Sequence, residues 1–162
     1  MPTSKALSDQ GSEPSQTRGD DFVLVDTDAF IHLSRGKARV AELAPHVAGR
    51  RVVISFATVA ELRRGAYAMG YSGDSRRRLE ADVSAAIVVA PTSELTDEWA
   101  RLSDEARKMG HALGQKAQAH DAWIAATGRL YGLPILTDDS HFENFPGLTL
   151  LPPRAAAVPA AV

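Results

Sequence analysis

The sequence predicts an α/β fold, a central parallel β-sheet flanked by helices in an α/β/α sandwich. Three observations predict it. Short runs rich in apolar and β-branched residues recur at 22–25, 52–55, 87–89 and 135–137, each too short for a helix. Between them lie longer segments with apolar residues at three- and four-residue steps, the period of an amphipathic helix. Strands that alternate with helices in this way build βαβ units, and βαβ units build parallel sheets.

The elements follow in order. Phe22-Val23-Leu24-Val25 is a fully buried strand, and it stops abruptly at Asp26-Thr27-Asp28. Residues 29–33 begin a short helical turn. A second helix is expected over 36–47, with Val40, Leu43 and Val47 on one face. After Gly49-Arg50-Arg51 comes the strand 52–55, then a helix over 56–69 striped by Val59, Leu62, Ala66 and Met69 and ended by Gly70. A helix over 74–86, capped at Asp74, leads to the strand 87–89. Leu95, Trp99, Leu102 and Ala106 line one face of a helix over 92–109, and 110–114 is a loop. The helix 120–131 is apolar nearly all round, which marks it as buried. Gly132-Leu133-Pro134 feeds the strand 135–137, and 148–151 is a candidate last strand. Residues 1–20 are rich in Ser, Gln, Gly and Pro and predict a disordered tail; 153–162 is a Pro/Ala tail; 21–152 is the folded domain.

Composition removes several chemistries. The 162-residue chain has room for one real core, at 44% hydrophobic and 23% charged residues. It has no cysteine, which excludes disulfides, thiol catalysis and thiolate zinc sites. A formal charge of −2 gives no global case for nucleic-acid binding, so any such site must be local. No apolar run approaches the ~20 residues that span a bilayer. The N-terminus lacks a signal-peptide core, so a cytoplasmic location without a membrane partner is expected.

The acids carry the chemistry. Crossover helices run antiparallel to the strands, so their N-termini lie at the strands' carboxyl edge, where open α/β sheets bind ligands. Asp26 ends the first strand. Glu61 lies early in the helix after the second, Asp121 opens the helix before 135–137, and Asp138 and Asp139 follow that strand. Each has a bland reading: Asp26 or Asp121 as a helix cap, Glu61 as a solvated residue favoured by the helix dipole, Asp138 or Asp139 as a turn former. Their gathering at one edge is the informative feature. Clustered carboxylates raise each other's pKa and persist as anions mainly around a cation. Oxygen donors alone suit Mg²⁺ or Mn²⁺.

Four stretches carry a resemblance: 25–28 (Val-Asp-Thr-Asp), 58–62 (Thr-Val-Ala-Glu-Leu), 120–127 (His-Asp-Ala-Trp-Ile-Ala-Ala-Thr) and 136–142 (Leu-Thr-Asp-Asp-Ser-His-Phe). In order and spacing they resemble the motifs of PIN-domain nucleases, and among these the VapC toxins of bacterial VapBC toxin–antitoxin pairs, over roughly 22–151. The resemblance implies a PIN-like fold over 21–152, Mg²⁺- or Mn²⁺-dependent endoribonuclease activity, a cognate VapB-like antitoxin and a homodimer. By position, Asp26, Glu61 and Asp121 fall on the acidic triad, Asp139 on the fourth acid, and Thr27 on the hydroxyl beside the first. Asp26, Asp121, Asp139 and Glu61 are thus the expected metal site, with Glu61 orienting or deprotonating the attacking water.

Two departures make the site more acidic. Asp28 stands where such toxins often have Asn, and Asp138 where they often have a basic or polar residue, which predicts weaker attraction for RNA and leaves open which of Asp138 and Asp139 serves the ion. Arg63 and Arg64, close to Glu61, are the best candidates for phosphate or antitoxin contacts. The antitoxin surface is expected on the helix carrying Val59, Leu62 and Ala66, or at Phe30-Ile31. Trp99 and Trp123 read as core, and His141 as a loop holder or a substrate contact. Two rivals share single motifs. His120-Asp121 resembles the metal doublet of HD phosphohydrolases, an all-helical family. Asp26-x-Asp28 resembles haloacid-dehalogenase-like phosphatases, which would make Asp26 a nucleophile and Asp28 a general acid but would leave Glu61 and Asp121 unused. A catalytically silent PIN binding module would show a missing acid, and none is missing.

Overall fold

A computed structural model describes residues 21–36 and 39–152; the expected terminal tails lie outside the described residues. Five parallel strands form one sheet in the order β3-β2-β1-β4-β5: β1 (Phe22–Val25), β2 (Arg51–Ser55), β3 (Ile87–Val89), β4 (Ile135–Leu136) and β5 (Leu150–Leu151). Among the described residues, six α-helices accompany them: α1 (Thr27–Arg35), α2 (Val40–Val47), α3 (Phe56–Ala68), α4 (Gly73–Ala85), α5 (Ser93–Met109) and α6 (Ala119–Tyr131).

The period-two geometry of the strands sorts the core into two layers. Leu24 and Val53 point to one face, where they meet Leu95, Leu102, Ile124 and Ala125 of α5 and α6. Val23, Val25 and Ile54 point to the other, against Phe30, Leu43, Leu62, Ala66 and Val83 of α1 to α4. This is the α/β/α sandwich, with β1 buried in its middle. On the α5–α6 side Trp99 and Trp123 stack at 4.7 Å, and Phe56 meets Trp123 edge-on at 5.1 Å. Both indoles are partly buried and pack against the core, close to what their places on apolar faces predict.

The chain order decides where a ligand can sit. From β1 it runs through β2 and β3 on one side, then crosses to β4 and β5 on the other. The direction of winding therefore reverses between β1 and β4, and there the loops leaving the two strands part to open a crevice. Asp26 follows β1 directly and Thr137-Asp138-Asp139 follow β4 directly.

Several boundaries differ from expectation for local reasons. Thr27 already belongs to α1 because Asp26 caps it, the Ala29 N–H donating to Asp26 Oδ1 at 2.8 Å. Gly36 does not start α2. It adopts φ 60° and closes α1, its N–H donating to the His32 carbonyl, and α2 starts at Val40. Asp74 does not cap α4; Ser72 stands in the cap position and Asp74 in the first turn. The loop 110–114 contains a 3₁₀ turn, Ala112–Gly114, packed so closely on α5 that a Cβ on Gly114 would lie 2.4 Å from the Arg107 backbone nitrogen. No helix among the described residues is long and apolar enough to cross a membrane.

Candidate functional site

The crevice at the switch point is a polar cleft of about 280 Å³ whose walls include Asp26, Thr27, Asp28, Glu61, Asp121 and Asp139. Every residue placed in the site from the sequence therefore arrives there. β1 delivers Asp26, α3 Glu61 from its second turn, the first turn of α6 Asp121, and the segment after β4 Asp139.

Asp26 is the most buried of the acids, at 6% exposure. Burial pushes its carboxyl up to about 6, against hydrogen bonds from the Thr137 hydroxyl and the Ala29 N–H that pull it down; Asp28 and Asp121 push it further up. Asp121 also rises to about 6, by burial first and then by the charges of Asp139 and Glu61, with His141 opposing. The acids are thus close enough to act on each other. The capping reading holds for Asp26, which does both jobs. It fails for Asp121: α6 starts two residues earlier, with Gln118 in the cap position and no side-chain cap bond.

The segment after β4 separates the two neighbouring aspartates. Asp139 faces the cleft and caps a 3₁₀ turn, Ser140–Phe142, by accepting from the His141 N–H at 2.9 Å. His141 Nδ1 lies 3.0 Å from Asp139 and 3.5 Å from Asp121, so the ring bridges the two carboxylates as a holder. Asp138 turns aside and pairs with Arg39 at 2.6 Å. Asp139 is accordingly the one of the pair that stands with Asp121.

Thr137 is the site residue that sequence reasoning left out of the set. Fully buried, its hydroxyl donates to Asp26 and accepts from the Asp139 N–H at 3.0 Å, so one side chain fixes both acids across the crevice. The signal available for it was a hydroxyl at the end of a strand, two residues before an acid. Thr27, assigned from the sequence, is buried, and its Oγ1 has no hydrogen-bond partner among the described residues.

The basic residues divide differently from expectation. Arg63 points away, held by Glu80 of α4 through two bonds of 3.1 and 2.7 Å. Arg64 lines the cleft, largely exposed, with its guanidinium 3.9 Å from Glu61. Val59, Leu62 and Ala66 are core residues at 8% exposure or less, so this face of α3 is turned inward; at Phe30-Ile31 the phenylalanine is 5% exposed and Ile31 is half-buried. A larger hollow of about 360 Å³, bounded by Arg35, Tyr71, Asp74, Arg78 and Asp82, contains none of these acids.

The donor set can accommodate a divalent cation. Asp121 and Asp139, with the His141 ring between them, place possible ligand atoms within 4.8 Å of one another. Two carboxyls raised to about 6 by burial and by neighbouring acids would be relieved by a positive ion, and the unpartnered Thr27 hydroxyl adds an oxygen.

Comparison with known proteins agrees with this arrangement. The family model for the PIN domain matches residues 23–148. Ribonuclease VapC5 of Mycobacterium tuberculosis is 30% identical over 124 residues, which cover 76% of this chain and 87% of that protein. Ribonuclease VapC1 of Haemophilus influenzae is 28% identical over 107 residues, 63% of this chain and 75% of its own. Among solved structures, VapBC2 of Rickettsia felis bound to a promoter DNA fragment superposes with a TM-score of 0.67 at 17% identity, covering 80% of this chain and 96% of that one. VapBC-1 of nontypeable Haemophilus influenzae gives 0.65 at 24% identity with the same coverage. At such identities the superpositions speak for the fold. The family match runs through all the strands except β5 and leaves the HD and haloacid-dehalogenase alternatives without support. With sequence match, fold and acid placement in agreement, this chain belongs to the PIN-domain family and is VapC-like within it.

Proposed function

We propose that this protein is a divalent-metal-dependent endoribonuclease, the toxin of a VapBC-type pair, held silent by a VapB-like antitoxin. The observation that carries the reading is the convergence of Asp26, Glu61, Asp121 and Asp139 on one cleft at the sheet's switch point. Its kinship with ribonucleases named VapC supports the substrate, and the VapBC complexes among its structural neighbours support the partner.

Asp26, Asp121 and Asp139, with Glu61 beside them, would hold Mg²⁺ or Mn²⁺. Such an ion, when bound, lowers the pKa of water and offsets charge building on the phosphate. The remaining work falls to the chain itself. Glu61, a third exposed at the mouth of the cleft, orients the attacking water and accepts its proton. Thr137 and the Ala29 N–H lock Asp26, and His141 and its own N–H lock Asp139, so the carboxylates keep their placement without reorganising. Water attacks phosphorus and the P–O3′ bond breaks; the departing O3′ takes a proton from solvent water, leaving 5′-phosphate and 3′-hydroxyl ends. A basic side chain of the antitoxin inserted among the same acids would relieve their repulsion as the cation does, which gives the partner a simple means of inhibition.

Expression of the chain alone in a bacterial host, with sequencing of the 5′ ends of cellular RNA, tests the proposal. Growth arrest with new 5′-phosphate ends at defined sites is expected, and both should vanish in Asp121→Asn. Unimpaired growth at high yield with an unchanged set of RNA ends contradicts it.

A further inference from the structure

We propose that Arg39 is a contact for the RNA backbone, occupying a phosphate subsite beside the acidic cleft, and that Asp138 positions it there. The proposal rests on the ribonuclease reading and deepens it by naming how an acidic site attracts a polyanion.

A second hollow of about 200 Å³ adjoins the cleft. The two share Asp26, Asp28 and Asp139, so these acids lie between them. Among the described residues, Arg64 stands on the cleft's outer wall, formed by α3 and α6. Arg39 stands on the second hollow's outer wall, formed by α1, the start of α2 and the loop after β4. A guanidinium thus flanks the acids on each side. An RNA strand laid across them meets Arg64, the acids and Arg39 in turn, so the phosphates beside the scissile one fall near a guanidinium instead of a bare carboxylate.

Arg39 is built for this place. Its carbonyl accepts the Glu42 and Leu43 N–H groups at 3.1 Å each, which anchors its backbone at the head of α2. Its Nη2 lies 2.6 Å from Asp138 and its Nε 3.3 Å from Glu42, yet 42% of the side chain stays exposed at the hollow. A guanidinium held in this way loses little freedom when a phosphate docks on it. The pair also revises the expectation drawn from Asp138. An acid at that position does not simply add negative charge, because it brings in a cation from another element.

The test is binding of a fluorescein-labelled single-stranded RNA of mixed sequence to the full chain carrying Asp121→Asn, at several salt concentrations, beside a cleavage assay of the wild type. Adding Arg39→Ala should weaken binding about tenfold at low salt and flatten the slope of log affinity against log salt by about 0.7, the value for one phosphate contact on a single strand. Asp138→Ala keeps the guanidinium and should keep the slope. Arg77→Ala, which removes an exposed arginine paired within α4, should change neither quantity. Should Arg39→Ala fail to fold, Arg39→Lys replaces it, with the slope kept and affinity reduced severalfold. Unchanged affinity and slope in Arg39→Ala, with wild type that binds and cuts RNA, overturns the proposal and leaves Arg39–Asp138 as a tie between α2 and the loop after β4. Wild type that neither binds nor cuts RNA overturns the ribonuclease reading, and the subsite with it.

Discussion

Asp26 serves three neighbours at once. It caps α1, accepts the Thr137 hydroxyl and stands among the other acids, while the end of β1 buries it. The cost of that burial has a measurable sign. In the folded chain Asp26 and Asp121 keep their protons up to about pH 6, whereas in an unfolded chain they release them near the usual 3.8. The folded state therefore holds more protons through that window, and the stability of the metal-free protein falls as pH rises through it. Each retained proton is worth about 1.4 kcal/mol per pH unit. Glu80 and Asp104 act in the opposite sense. Hydrogen bonds from Arg63 and Lys108 hold them below the usual range, so what they contribute is lost only in more acid solution, as pH falls below that range. Urea denaturation of metal-free protein should accordingly show greater stability at pH 5 than at pH 7. Asp121→Asn should flatten that rise, and a wild type more stable at pH 7 would contradict the account. The acids themselves were legible in the sequence because each follows a strand or opens a helix. Thr137's two bonds and the Arg39–Asp138 pair were not, since each joins residues that only the folded topology brings together.

At the scale of elements, α6 is the piece whose placement matters most, because it carries Asp121. Contacts at its C-terminal half help to fix it. At Gly128 a Cβ would lie 2.7 Å from Ile135 of β4, so the missing side chain lets helix and strand approach closely. Near its C-terminal end, Arg129 reaches α5, where it bonds Glu98 and meets Glu105 at 2.7 Å, and its guanidinium lies over the Phe145 ring. Arg129 and Glu98 are 18% and 12% exposed, so removing the cation leaves a poorly solvated carboxylate paired to the largely exposed Arg101 at 3.4 Å. Arg129→Ala should cost about 2 kcal/mol or more by denaturant unfolding, against a few tenths for an exposed pair such as Arg77–Asp74. A loss within a few tenths for Arg129→Ala would show that α6 is held by apolar packing alone. The apolar periodicity of α5 and α6 located both helices within a residue or two. Caps were read less well: Ser72 and Gly36 act through backbone conformation and solvent-facing geometry, which a list of favoured residue types does not resolve.

For the whole molecule, the decisive property is topology. With β1 in the centre and the chain reversing its winding between β1 and β4, the sheet opens a crevice at its carboxyl edge where Asp26 faces Thr137 and Asp139. Crossover connections then bring Glu61 and Asp121 to the same edge at the beginnings of α3 and α6. That much followed from the alternation of strands and helices, which is why the site could be assembled from the sequence before its geometry was known. What alternation does not contain is the division of the basic residues. Arg63 faces Glu80, Arg64 the cleft and Arg39 the second hollow, because rotation about a helix axis and the course of a loop set those directions. Whether the gathered acids form a metal-dependent ribonuclease centre is read most plainly from RNA cleavage by purified protein, wild type against Asp121→Asn, with Mg²⁺ or Mn²⁺ and with EDTA. Wild type should cut only with metal, and Asp121→Asn should lose at least a hundredfold, of the order seen when a well-placed catalytic group is removed. Cleavage by Asp121→Asn at the wild-type rate would contradict a centre built on these acids.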